Sequence, residues 1–208
     1  MATEYTDHID SKDKQPRTAR GLKTKRKLLD AAALEFGEKG FHEASITGIT
    51  QRAGTALGSF YTYFDSKDEL FSALVKDMSL RVKDRAASAM TEWKDALERE
   101  KLALESFMNF ARENKEIYRI IDEAEFVDPQ SYHDHYEGTA ARIFERLQEG
   151  SEAGDLRDGL DEAHAWAIMG MNVFLGLRYG IWSEDKSASQ VAEIANDILT
   201  NGIGARKG

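Results

Sequence analysis

Residues 45–70 read SITGITQRAGTALGSFYTYFDSKDEL, and this stretch decides the fold. Ile46, Ile49 and Ala53 recur at i, i+3 and i+7, one apolar face of a short helix. Gly54 then offers the permissive backbone that a sharp turn between helices requires. The spacing predicts a third helix over about Ala56 to Phe64, small and polar on one side (Gly58, Ser59, Thr62), with Phe60 and Phe64 on the other. A short helix of low polar relief can enter a DNA major groove while the preceding helix braces it across the backbone. Small helical hairpins also occur as plain structure, so the flanks matter.

Upstream, residues 12–27 carry eight basic side chains (Lys12, Lys14, Arg17, Arg20, Lys23, Lys25, Arg26, Lys27) against Asp13 alone, a local charge of +7. The whole chain is −9. Up to Leu80 the basic and acidic residues balance at 12 each, and beyond it 16 bases face 25 acids. Positive charge therefore abuts the helical hairpin, and the acidic excess lies behind it. That segregation suits a phosphate-gripping arm on a body that repels DNA. A basic tail that only aids solubility is the plainer alternative.

From Lys23 to about Met78 the chain resembles the TetR (tetracycline-repressor-like) family of bacterial transcriptional regulators. The resemblance rests on the GEKGF run at 37–41, Ser45-Ile46-Thr47, Ala53-Gly54, Gly58-Ser59-Phe60-Tyr61, Tyr63-Phe64 and Ser66-Lys67-Asp68-Glu69-Leu70. Thr55 and Ala56 depart from it, standing where valine and a serine or threonine are usual. Thr55 suits a helix N-cap in place of the missing hydroxyl. The family implies an all-α fold: a three-helix helix-turn-helix head and a helical ligand-binding and dimerisation body, about nine helices in all. The boundaries expected are a flexible basic arm over 1–20, the head over 21–66 and the body over 67–208.

The helix pattern agrees with that count. A first helix is expected from about Leu22 to Lys39, ended by Gly40, and Ser66 with Glu69 forms a capping box for a fourth that runs to about Met90. A fifth is expected over Thr91 to Asn114, with Trp93 turned inward, and a sixth over Lys115 to Phe126. Pro129 fits the first turn of a seventh that Gly150 and Gly154 end. The eighth, from about Asp161 to Trp182, is apolar nearly all round and must be covered on nearly all sides. With a ninth over Ala188 to Asn201 it reads as half of a four-helix dimer interface, carried by Met171, Leu177, Ile181, Val191, Ile194 and Ile198. A monomer core is the alternative.

For DNA, Ser45 and Thr47 suit a phosphate at the start of the second helix. Ala56, Leu57 and Ser59 are the candidates for base edges, with Thr55 beside them among the expected DNA contacts, although Leu57 also sits three residues before Phe60 and could belong to the core. The family match implies that Tyr61, Tyr63 and Lys67 hold phosphates, Tyr61 being alternatively a packing residue. Arg17, Arg20, Lys23 and Lys25 are expected on the backbone or in a minor groove. The partners expected are therefore a double-stranded operator, a second copy of the chain and a small hydrophobic effector.

Phe107, Phe110, Tyr118, Phe126, Tyr132, Tyr136, Phe144, Trp166, Met169 and Phe174 supply large apolar groups from the fifth to the eighth helix. Such sets are often ordinary core, but the family implies that some line an effector cavity. Asp122 and His135 are among the polar groups that could orient the bound molecule. A fatty acid, acyl thioester or aromatic compound is the class expected. His133 and His135 stand two apart on a helix and point in different directions, so no metal site is expected.

No cysteine is present, which excludes disulfides and thiol redox sensing. The longest uncharged run, Ala163 to Leu177, is fifteen residues and too short to span a bilayer. Neither a secretory signal nor a nucleophile elbow or phosphate-binding glycine loop is found. The chain reads as a cytoplasmic regulator without cofactor or enzyme activity. An architectural or protein-partnered DNA-binding protein with a filled core remains the second reading. A small-molecule enzyme is the third.

Overall fold

The structure, a computed structural model, describes Lys14 and residues 16–203. Lys12 and Asp13, most of the expected 1–20 arm, and the last five residues of the body lie outside the described residues. Among the described residues the chain is helical throughout, with α1 (Ala19–Lys39), α2 (Ile46–Ala53), α3 (Leu57–Phe60), α4 (Lys67–Ala89) and α5 (Ala96–Glu113). There follow α6 (Ile117–Val127), α7 (Pro129–Glu152), α8 (Glu162–Gly176), a π-helical segment (Leu177–Trp182) and α9 (Ala188–Asn201).

Local chemistry sets most boundaries of the head. Thr18 caps α1 by accepting the Gly21 N–H at 3.1 Å, and Ser45 caps α2 by accepting that of Gly48 at 3.0 Å. Gly40 (φ 80°) and Gly54 (φ 61°) take the left-handed conformations that end α1 and α2. Ser66 accepts the Glu69 N–H at 3.0 Å, while the Glu69 carboxylate reaches one residue past the expected box to the Asp65 N–H at 2.5 Å. The third helix is shorter than its periodicity predicts. It closes at Phe60, and Tyr61 to Tyr63 form a turn.

Phe36, Ile49, Phe60 and Phe71 are fully buried and Phe64 nearly so, and they knit α1 to α4 into one core. Each contributes about 1.5–3 kcal/mol by its burial. That core does not stop at the head. Ile117, Ile120, Ile121 and Ala124 of α6 belong to the same cluster, as does Phe110 of α5. Two further clusters hold the body: Leu104 and Met108 of α5 against Val191, Ala192 and Ala195 of α9, and Ala140, Ile143 and Leu147 of α7 against Ala165, Ile168 and Met169 of α8.

Three boundaries of the body differ from expectation. Trp93 lies ahead of α5 and is exposed, with the Arg99 guanidinium 4.6 Å from its ring centre. Gly150 does not end α7 but is buried within it, where a Cβ would overlap that of Ala96. The long eighth helix changes to π geometry after Gly176, at which a Cβ would overlap the Tyr118 hydroxyl. Pro129 starts α7 as expected, and Asp128 caps it by accepting from the Ser131 N–H (3.1 Å) and hydroxyl (2.6 Å). No helix among the described residues is long and apolar enough to cross a membrane.

Candidate functional site

Two sites lie at opposite sides of the α6 helix. On the head, Ser45, Thr47, Ala56 and Gly58 are exposed, and Ser59 is half-buried. Leu57 is 48 % exposed, which removes the alternative that it fills the core. Tyr61 is similarly open, its ring edge-on to Phe60 at 5.3 Å, whereas Tyr63 packs partly into the head core. Arg17, Arg20 and Lys23 of the basic run are exposed, and Lys25 reaches 5.7 Å from the Phe64 ring centre. Arg26 of the same run is turned inward to Asp77 (2.6 Å) and Asp30 (3.0 Å), tying α1 to α4.

Two residues expected at the DNA have their polar atoms turned inward. Thr55 caps nothing: its hydroxyl is buried without a hydrogen bond, and Ala56 occupies the N-cap of α3. Lys67 does not present its ammonium to a phosphate. Its three N–H donors go to the carbonyls of Phe41 (2.6 Å), Ala44 (2.9 Å) and His42 (3.2 Å), and the same nitrogen lies 4.5 Å from the centre of the Phe41 ring. It holds the α1–α2 loop shut. A second clamp had no signal in the sequence. Buried Glu35 accepts from Lys39 (2.7 Å) and Arg52 (2.6 Å), and Gly48 leaves room for its carboxylate. Burial alone would raise the Glu35 pKa, but these two cationic donors hold it below the ordinary carboxylate value.

The second site is a cavity enclosed by α4, α5, α6, α7 and α8, with about 870 Å³ of empty space counting its open mouth. Of the ten aromatic and apolar residues expected there, Phe107, Tyr118, Tyr136 and Met169 line it. Six do not. Phe110 is core beneath the Arg81 guanidinium, Tyr132 packs edge-on to Tyr136 at 4.9 Å, and Phe144 fills the α7–α8 contact. Phe126, Trp166 and Phe174 face outward, at 82 %, 40 % and 71 % exposure. Helical spacing places residues on one stripe but does not say which way the stripe points.

Of the expected polar groups Asp122 and His135 line the cavity, and His135 begins a polar stripe on α7 whose other members were not expected. His135, Thr139, Arg142 and Arg146, together with Lys83 of α4 and Asn172 of α8, line the cavity beside Ile117, Ile121 and Val173. Their spacing of four, three and four residues was legible as one helix face. The Arg146 guanidinium makes a two-pronged bond to the buried Glu100 carboxylate, one arm at 2.8 Å. The Tyr118 hydroxyl donates to the Val173 carbonyl at 2.7 Å, and burial pushes its pKa well up. Tyr136 is pushed up to about 12 by burial and by the neighbouring Tyr132, Asp122 and Glu125. His133 is exposed, and no group of three acidic or histidine side chains among the described residues could hold a metal ion.

His135 carries a pH signature. The Ser79 hydroxyl donates to the Val75 carbonyl, so it accepts from the His135 Nδ1–H at 2.7 Å. Burial first, then the Arg142 charge, lower the His135 pKa to about 4 from 6.5. The unfolded chain therefore takes up this proton first, and stability is complete above pH 6.5 and falls as pH drops towards 4. At pH 5 the loss is about 2 kcal/mol. Urea unfolding at pH 7 and pH 5 checks it: the pH-dependent loss shrinks by that amount in His135→Gln if the reasoning holds.

The α6 helix joins the two sites. One face of it, Ile117, Tyr118, Ile121 and Asp122, lines the cavity. The other grips the end of α1 and the loop after it. Arg119 donates to the carbonyls of Gly37 (3.1 Å) and Glu38 (3.0 Å), and Glu123 accepts the Phe41 N–H at 2.6 Å. Gly37 lies against Glu116 so closely that a Cβ would overlap it.

The residues expected at a dimer interface divide. Val191 is buried between α5 and α9 within one chain and is not available to a partner. Met171, Leu177 and Ile181 are half-buried, and Ile194 and Ile198 are exposed. The outward apolar face of α8, the π segment and α9 also includes Trp166, Phe174 and Trp182.

A three-helix head with a glycine-turned α2–α3 pair defines a helix-turn-helix DNA-binding regulator. Residues 28–74 match the model of the bacterial regulatory proteins of the tetR family. The chain is 31 % identical over 186 residues to the uncharacterized HTH-type transcriptional regulator YdgC of Bacillus subtilis (strain 168), covering 87 % of this chain and 93 % of that one. It therefore belongs to the TetR family of transcriptional regulators. The fatty acid metabolism regulator protein of Bacillus subtilis (strain 168) is 27 % identical over 140 residues, 64 % of this chain and 71 % of that protein. Among solved structures, FadR from Bacillus subtilis in complex with stearoyl-CoA shares the fold with a TM-score of 0.73 at 19 % identity, covering 86 % of this chain and 99 % of that one.

Proposed function

We propose that this regulator is a homodimeric repressor, released from a near-palindromic operator in the cytoplasm when a hydrophobic small molecule enters the cavity. The observation that carries this reading is the two-faced α6 helix, with Ile117, Tyr118 and Ile121 on the cavity and Arg119 and Glu123 on the α1–α2 junction. A ligand that displaces α6 shifts both contacts at once, and so favours one head position over another. The alternative of an architectural DNA-binding protein requires a filled interior, and the space between α4 and α8 weighs against it.

Dimerisation supplies the geometry. The apolar groups left open on α8 and α9 suit a second copy, which sets two α3 helices about one DNA turn, 34–36 Å, apart. Ser45, Thr47, Ala56, Leu57, Ser59 and Tyr61 then face the duplex, with Arg17, Arg20 and Lys23 on the backbone. A similar fold in complex with stearoyl-CoA favours an acyl compound as the effector class.

The test is binding to the DNA upstream of its own gene, followed by fluorescence anisotropy with and without hexadecanoyl-CoA or hexadecanoic acid. Binding as a dimer, weakened several-fold by one of them, supports the reading. Operator binding indifferent to every apolar ligand tried returns the architectural alternative.

A further inference from the structure

The cavity is charged unequally at its two ends. Its α7 wall, from His135 to Arg146, runs roughly 16 Å at 1.5 Å per residue. Near one end Arg142 is half-buried, and its single hydrogen bond is to the Thr139 hydroxyl at 2.9 Å. No carboxylate among the described residues pairs with it. One turn on, Arg146 differs sharply, since Glu100 neutralises it. From α4, Lys83 also lines the cavity, exposed and likewise without an ion pair among the described residues. The other end is acidic: Asp122 lines it, and burial together with Glu125 raises its pKa. Between the ends the walls are apolar, with Phe107, Ile117, Ile121, Ile143 and Met169.

A half-buried guanidinium without a counter-ion is costly unless something anionic completes it. Burial first, and then the Arg146 charge, lower the Arg142 pKa by more than the neighbouring Glu145 raises it, the mark of a cation not fully compensated. An anion at the opposite end would meet Asp122 and Glu125 instead. We infer that the effector is an apolar chain carrying an anionic head group, with the head held by Arg142 and Lys83 and the tail directed along α7 towards α6. The inference rests on the effector reading above and specifies its chemistry and direction. A tail reaching Ile117 and Ile121 also presses on the helix that grips the head, so the polar end selects the ligand and the apolar end acts on α6. Carboxylate and coenzyme phosphate both meet the charge requirement.

Three probes of one chain length separate the possibilities on the full chain: hexadecanoic acid, hexadecanoyl-CoA and hexadecan-1-ol, titrated by calorimetry. At least one anionic probe binds about tenfold or more tighter than the alcohol. In Arg142→Met the ratio of anionic-probe to alcohol affinity collapses, and Arg142→Lys keeps part of it. Tight binding of the acid alone identifies the carboxylate as what Arg142 reads, because the thioester carbonyl is neutral, and equal binding of acid and thioester shows that either anion satisfies it. A tight thioester alone, weakened also by Lys83→Ala, identifies the phosphates. An alcohol that binds the wild type as tightly as the acid and thioester, or an anion preference that survives Arg142→Met, overturns the head-group assignment and leaves the cavity a ligand site. If none of the three binds the wild type, an acyl effector is excluded and this inference falls with it.

Discussion

Replacing Arg119 and Glu123 together by alanine is expected to leave both DNA binding and ligand binding in place while abolishing communication between them. The two side chains make the polar contacts of α6 with Gly37, Glu38 and Phe41, and neither touches the α2–α3 face. Couplings of this kind are worth about 1–3 kcal/mol, or 5–150-fold in affinity. In wild type, a saturating acyl ligand therefore weakens operator binding by a factor in that range. In the double variant the factor falls to about one, with unliganded operator affinity changed by less than about threefold. Anisotropy titrations of both proteins measure this. A double variant that still releases the operator fully shows that the signal travels another way, such as through α4.

The Arg146→Met variant is expected to lose about 3–5 kcal/mol of stability, because it strands the Glu100 carboxylate in the interior. Glu100 is 3 % exposed, and the two arms of the Arg146 guanidinium are its hydrogen-bond partners. The pair joins α5 to α7 at the end of the cavity far from the head. Removing both charges in Arg146→Met with Glu100→Leu recovers most of the loss, since the penalty comes from the orphaned charge rather than from a missing attraction. Urea midpoints at pH 7 read both variants. A single variant within 1 kcal/mol of wild type, on the order of an exposed ion pair, contradicts the assignment.

The head was legible because its signals are local. Gly54 and the Ser66–Glu69 pair act within four residues of themselves, and turn and cap chemistry does not depend on the rest of the fold. Lys67 was not legible. Its carbonyl partners lie 23 to 26 residues upstream, and nothing in its own neighbourhood distinguishes it from a phosphate ligand. Six of the ten residues expected at the cavity were not legible for a related reason. Phe126 and Phe174 have the spacing of core residues, yet the faces that carry them look outward, and the direction of a face is fixed by tertiary packing. Arg142 and Arg146 stand one turn apart and differ only because Glu100, 46 residues before Arg146, meets one of them. The α8 helix, apolar all round, offered no preferred face at all, and Met169 and Phe174 took opposite sides.

Thermodynamic reciprocity gives the most direct measurement of the link through α6. The affinity of hexadecanoyl-CoA or hexadecanoic acid is measured for the free protein and for the protein saturated with operator DNA. Coupling predicts that operator weakens ligand binding by the same factor by which ligand weakens operator binding, and that both factors vanish in the Arg119 and Glu123 double variant. Equal ligand affinity with and without DNA contradicts it, and leaves the cavity and the helix-turn-helix as independent sites on one chain.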